Sequence, residues 1–109
     1  MKRQVITANQ IEGFHNWPDA PSEFIYLAAR HRHMFHVRCW WEISHNNREI
    51  EINNAQQIIE RDLNIAFGKP CEFQGMSCED ICEHLLSSYP QIEKVEVTED
   101  GYGGASLTR

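Results

Sequence analysis

Three histidines carry the first chemical signal in this chain. His31 and His33 lie within Arg30-His31-Arg32-His33-Met34-Phe35-His36-Val37, and His15 lies within Gly13-Phe14-His15-Asn16-Trp17. The run from His31 alternates like a β-strand, so His31 and His33 put both imidazoles on one side of a sheet. His15 ends the preceding extended segment, where an antiparallel neighbour brings it alongside. Three neutral imidazoles on one surface with an open fourth position are what a catalytic zinc site requires. Each ring has two nitrogens to satisfy: a metal takes one and an oxygen acceptor behind the ring takes the other. An H-x-H pair is a weak signal by itself, and a lone histidine is more often an ordinary half-buried side chain. His36 points to the opposite face, while His45 and His84 fall in a turn and on a helix, outside the trio.

Glu99 is the second informative position. It shares a strand face with Val95 and Val97, so it projects toward the apolar side at the strand's end. A carboxylate there costs several kcal/mol unless it is hydrogen-bonded or paired. Either the strand end is frayed and the acid solvated, or the acid awaits a ligand's N–H donors. A guanine-like or pterin-like edge offers two adjacent donors, which a carboxylate accepts bidentately.

The elements that must position these groups follow from periodicity. Residues 4–15 form a weakly alternating strand, and residues 18–29, with Pro18, Asp19 and Pro21, form a loop. From His31 one face carries His31, His33, Phe35, Val37, Cys39, Trp41 and Ile43, and the other carries Met34, His36, Arg38, Trp40 and Glu42. His45-Asn46-Asn47 is a turn, and Glu49 to Ile52 continues extended. Asn53 or Asn54 caps a helix with apolar positions Ala55, Ile58, Ile59, Leu63 and Ala66 or Phe67, which Gly68-Lys69-Pro70 ends. Ser77 starts a second helix, with Asp80 three residues on as a capping-box partner and Cys78, Ile81, Cys82, Leu85 and Tyr89 as its apolar stripe. Lys94 to Glu99 alternates again, and Gly101, Gly103 and Gly104 turn the chain into Ala105-Ser106-Leu107. The order β-β-α-α-β-β predicts a single α+β domain over 1–109, a four-stranded antiparallel sheet with two helices on one face.

Composition narrows the class. At 109 residues the chain suits one domain. A domain of this size buries only about 60–70% of its unfolded surface, so metal, ligand or subunit contacts matter to its stability. A net charge of −6 with dispersed acids argues against a nucleic-acid partner, although Arg30, Arg32 and Arg38 leave room for a small anionic ligand. No stretch approaches the roughly 18 apolar residues of a membrane span, and Met1-Lys2-Arg3-Gln4 leads into mixed polar sequence, so a cytoplasmic protein is expected. Cys39, Cys71, Cys78 and Cys82 are then reduced thiols; Cys78 and Cys82 share a helix face with core residues and match no common zinc spacing.

Taken in order, these motifs resemble the 6-pyruvoyl-tetrahydropterin synthase / 6-carboxy-tetrahydropterin synthase family of the tunnelling fold. The resemblance rests on Gly13-Phe14-His15, on the strand with His31 and His33, on the helix start Ser77-Cys78-Glu79 and on Val95-Glu96-Val97-Thr98-Glu99. It spans nearly the whole chain. It implies that His15, His31 and His33 hold zinc, that Glu99 anchors a pterin-like ring, and that copies assemble side by side as a trimer or hexamer. Trp40 and Met34, on the face away from the histidines, suit either such contact or packing beneath the helices. It also implies a dihydroneopterin-triphosphate-like substrate and metal-assisted lyase chemistry.

Two departures bear on that chemistry. The family's cysteine before the H-x-H pair is absent from Tyr26-Leu27-Ala28-Ala29-Arg30, and its Asp-His pair is replaced by Arg61-Asp62-Leu63-Asn64. Asp62, His36, His84 and Tyr26 are the candidates for a substitute acid or base. The alternative is a non-catalytic tunnelling-fold protein that binds a pterin or purine; a third reading is a structural domain with incidental histidines.

Overall fold

A computed structural model describes all 109 residues. Strands β1 (Arg3–His15) and β2 (His31–Ile43) are each 13 residues long and pair antiparallel over their full length. The link between them, expected as a loop, contains a short 3-10 helix at Ser22–Leu27. Helix α1 (Ile52–Phe67) then carries the chain back along the sheet to β3 (Cys71–Gln74), and helix α2 (Cys78–Ser88) leads into β4 (Ile92–Glu99) and β5 (Gly103–Thr108).

The class is α+β, as the periodicity indicates, but the sheet differs from the expected four antiparallel strands. It has five strands in the order β3-β1-β2-β4-β5, and it is mixed because β3 runs parallel to β1. β3 is only four residues long and follows Gly68-Lys69-Pro70, so it has too few alternations to register as a strand in sequence. Its parallel direction comes from α1. β2 ends beside Arg3 while β3 begins beside Gly13, so the helix spans the distance between the two ends of β1. Two smaller expectations also change. Residues 49–51 are not extended strand, and α1 is capped by Glu51, whose side chain accepts from the Asn54 N–H at 2.7 Å, in place of Asn53 or Asn54.

Both helices cover the face that carries the histidines. Ala55, Ile59 and Leu63 of α1 and Ile81, Cys82, Leu85 and Leu86 of α2 bury against Phe35, Val37, Cys39, Trp41, Val95 and Val97 of the strands. α2 begins where expected, with Ser77 accepting from the Asp80 N–H at 3.1 Å and Asp80 accepting from the Ser77 N–H at 3.0 Å. One polar pair lies inside this core, where the Trp41 indole N–H donates to Thr7 Oγ1 at 3.0 Å. The other sheet face carries no helix; there Trp40 lies under the Arg38 guanidinium at 4.9 Å and the Lys94 ammonium at 4.5 Å. No helix is long and apolar enough to cross a membrane.

The four cysteines are all buried and free, and Cys78 and Cys82 lie on the core side of α2 as their spacing indicates. Burial is the main cause that pushes their thiols up, Cys39 and Cys78 to about 12 and Cys71 and Cys82 to about 11, from an ordinary value of 9.0. Above the ordinary value the unfolded chain releases protons that the folded chain keeps, so stability falls as pH rises through that window. Thermal melts across pH are therefore expected to hold level near neutrality and to decline from about pH 9 upward. A midpoint unchanged well above that value would show that the thiols are not shielded.

Candidate metal centre

The long β1–β2 register builds the histidine cluster. It sets His15 opposite His31 and Gly13 opposite His33, so the three imidazoles emerge on one face at the end of the sheet beyond the helices. Their ring centroids lie 4.6, 5.0 and 5.3 Å apart. One ring nitrogen from each lies within 4.8 Å of the other two. Tetrahedral zinc separates its nitrogen ligands by about 3.4 Å, so modest ring rotation closes the set.

The back of each ring is already anchored. His15 Nδ1 donates to the Met76 carbonyl at 3.0 Å, His31 Nδ1 to the Ala29 carbonyl at 2.9 Å, and His33 Nδ1 to Asp100 Oδ2 at 2.7 Å. For His31 and His33 the oxygen at Nδ1 fixes the tautomer and leaves the Nε2 lone pair free, whereas His15 has an oxygen at each ring nitrogen. His33 Nε2 is buried and has no hydrogen-bond partner, an arrangement that ordinarily costs roughly 1–3 kcal/mol.

His15 sharpens the case. It is 8% exposed, and its Nε2 lies 2.9 Å from Glu99 Oε2, so both ring nitrogens face oxygens. A neutral imidazole has one N–H and satisfies only one of them. Burial, the largest cause, holds the His15 pKa below its ordinary value, with His31 and His33 adding to that direction against the Met76 and Glu99 oxygens. A cation at the Nε2 side satisfies the imidazole and the carboxylate together. Orphaned nitrogen, fixed tautomers and adjacent carboxylate thus fit a divalent metal of the zinc type.

Glu99 reaches this cluster from β4, where pairing with Phe35 puts it on the histidine face. Its other oxygen is 3.6 Å from His33 Nε2, and the Cys78 thiol is 3.9 Å from Oε2. The ring-anchor candidate therefore belongs to the same constellation as the three histidines. Asp100, the next residue, turns back with φ +56° and takes His33 from behind. Its carboxyl is held below the usual range by the Met34 N–H first and by His33 second.

A cleft of about 490 Å³ opens beside the cluster, lined by His15, His31, Glu99, Cys78, Glu79, Trp17 and the backbone of Gly103 and Gly104, among others, but by no lysine or arginine. Arg30 and Arg32 alternate to the opposite face. Arg30 pairs with Glu72 and lies 3.6 Å over the Phe14 ring, and Arg32 pairs with Glu12 at 2.6 Å.

The four acid–base candidates are placed elsewhere. Asp62 and His84 meet each other at 2.7 Å between α1 and α2, with the Tyr89 hydroxyl donating to the second Asp62 oxygen at 2.9 Å. His36 lies on the outer face of β2 opposite Thr98, and Tyr26 is 69% exposed on the 3-10 helix. None of the four lines the cleft. Cleft residues that escape a sequence reading are Trp17, Glu79 and Cys78, the last because its core spacing is genuine as well. Asp100 escapes because Asp-Gly marks a turn and nothing more.

Beneath the rings sits an aromatic floor. Phe35 meets His15 and His33 edge-on at 5.2 and 5.6 Å, and Phe73 meets Phe35 at 5.0 Å. Gly13 makes this packing possible, since a Cβ there would lie 2.7 Å from Phe73 and 3.1 Å from Phe35. Fold and site together define an α+β protein with a three-histidine cluster at one end of a mixed sheet. No protein-family model matches the chain, and no curated protein matches it in sequence.

Gly13→Ala is expected to lower the unfolding free energy by about 1–3 kcal/mol, the usual cost of overpacking, as read by chemical denaturation. A neutral or stabilising result would show that the two phenylalanines yield without cost.

Proposed function

We propose that this chain is a zinc protein of the tunnelling-fold kind that captures a pterin- or purine-like ring in the cleft beside its metal. The observation that carries it is the triple Nδ1 anchoring, which leaves three Nε2 atoms converging, one of them buried and unpartnered. His15, His31 and His33 would hold the zinc. Bound there, zinc polarises a ligand oxygen and lowers the pKa of a bound water toward about 7.

The chain's own groups do the rest. Glu99, at the junction of cluster and cleft, accepts paired ring N–H donors, the role its resemblance to the family assigns it. Trp17 supplies an aromatic wall. With no lysine or arginine on the lining, a triphosphate tail has no partner within the cleft of one chain. Side-by-side assembly into a trimer or hexamer belongs to the same proposal. The outer edge of β1 is strand-paired only from Gly13 to His15, and β5 is the opposite edge, so both are open to a neighbour.

Capture without turnover of the lyase type is favoured, because the Asp62–His84 pair lies off the cleft and burial keeps Cys78 a thiol. The catalytic reading keeps one observation in its favour, the Cys78 thiol set against Glu99 at 3.9 Å on the cleft wall.

The test uses protein purified without a histidine tag. Metal analysis is expected to find close to one zinc per chain, and calorimetry to find binding of dihydroneopterin to the zinc-loaded form. Glu99→Gln, compared with the wild type at equal zinc loading, is expected to weaken that binding by about tenfold or more. Less than a tenth of an equivalent of zinc, with none taken up on addition, would remove the proposal. Ring binding indifferent to Glu99 would remove its ring-anchor half, and turnover of dihydroneopterin triphosphate would establish the enzyme in place of the binder.

A further inference from the structure

The three histidines are not anchored alike. His15 and His31 lean on backbone carbonyls, Met76 and Ala29, whereas His33 leans on a carboxylate, Asp100. Carbonyls of the main chain come with the fold; a side-chain carboxylate is a separate choice. The Asp100 carboxylate is also held unusually well for a group at a turn. Its Oδ1 accepts from the Met34 N–H at 2.9 Å, and its own N–H donates to the Met34 carbonyl at 2.8 Å. The left-handed backbone at φ +56° is what aims both groups at Met34 and leaves Oδ2 for His33 at 2.7 Å. Left-handed φ is several-fold more common for Asp and Asn than for other side chains, so the position suits this residue type.

We propose that Asp100 is a positioning residue for the metal ligand His33, pinning its proton on Nδ1 and its Nε2 lone pair toward the metal; this rests on the three-histidine site proposed above. The consequence is a carboxylate–histidine–metal relay on one of the three ligands. Asp100 never touches the metal. It stiffens the ring, excludes the other tautomer and makes the imidazole a stronger donor, effects that commonly amount to 10–100-fold in metal affinity. The buried and unpartnered Nε2 of His33 is the complement of this arrangement, because the tautomer that would give that atom a proton is the one Asp100 disfavours. Glu99 and Asp100, consecutive in sequence, thus take the cluster from both sides: Glu99 faces the Nε2 edge of His15, and Asp100 faces the Nδ1 edge of His33.

Asp100→Asn separates this role from a merely structural one. Asparagine keeps the size and the tolerance of left-handed backbone, but it offers one acceptor oxygen to two donors, the Met34 N–H and the His33 Nδ1–H. Asp100→Gly keeps the turn with no acceptor at all, so it serves if the first variant misfolds. Imidazole proton–nitrogen correlation spectra of the metal-free protein give the first readout. His33 is expected to carry its proton on Nδ1 in the wild type and to populate the Nε2–H form in Asp100→Asn, while His15 and His31 keep their tautomers. Zinc titration against a chromophoric chelator gives the second: Kd is expected to rise 10–100-fold in both variants with the circular dichroism spectrum unchanged. Wild-type His33 protonated on Nε2, or zinc affinity within about twofold of wild type in both variants, would overturn the role of Asp100. A wild type that takes up no zinc would instead overturn the metal site, and the tautomer measurement would still decide what Asp100 does to His33.

Discussion

The register between β1 and β2 is the constraint on which the rest of the site depends. Two 13-residue strands pair without a bulge, so the ladder that begins with Arg3 opposite Ile43 ends with His15 opposite His31. Side chains alternate with a period of two, and a slip of one residue would move the whole apolar set to the outer face and scatter the histidines across both. The core forbids that slip. Phe35, Val37 and Cys39 have no exposed surface and Trp41 only 4%, and all four share a face with His31 and His33. Burial of the core and assembly of the cluster are therefore one choice of register.

What the core stabilises, the cluster draws upon. Three imidazoles and a carboxylate at the end of an apolar face repay little of the free energy their desolvation costs unless every polar atom is matched. The fold meets most of that demand with groups it already has to place. Met76 lies in the turn before α2, Ala29 in the turn before β2, and Asp100 in the turn between β4 and β5. Each lends an oxygen to one ring. The remaining mismatch is confined to the Nε2 side, where His33 lacks a partner and His15 meets a carboxylate. Unmet demand concentrated on one side of a cluster is the mark of a site prepared for a bound group, in contrast to a frayed surface, where it would be spread over many atoms and relieved by water.

How much of this is legible in sequence depends on the range of the interaction concerned. The β1 and β2 strands, the α2 helix with its Ser77–Asp80 box and the shared face of His31, His33 and Phe35 all follow from spacings of two to four residues, and the structure repeats them. His15 could be placed beside His31 because the only assumption needed was an antiparallel neighbour. β3 could not be seen, since Cys71-Glu72-Phe73-Gln74 becomes a strand only through its parallel pairing with Gly13–His15 some 60 positions earlier. The preference of caps for Asn points to Asn53 or Asn54 at the start of α1, and the carboxylate of Glu51 overrides it. Asp62 and His84 are each legible as titratable residues, but their mutual hydrogen bond between α1 and α2, away from the cleft, is not. Asp100 falls in the same class: its partners Met34 and His33 are 66 and 67 residues away.

Alternation along β2 also sorts charge. Arg30, Arg32 and Arg38 occupy the positions between the inward residues, and each is answered by a carboxylate outside the site, Glu72, Glu12 and Glu96. The inward positions hold the imidazoles of His31 and His33, beside which burial holds the His15 pKa below its ordinary value. The acids on the cleft wall, Glu99 and Glu79, thus have no lysine or arginine beside them on the lining. Clefts lined by one sign of charge over low-dielectric walls focus the field and concentrate the opposite ion. A strand that sent one arginine inward would have filled the cluster with its own cation. This one sends only imidazole nitrogens inward, so the cluster beside Glu99 presents donors of the kind that a divalent metal prefers.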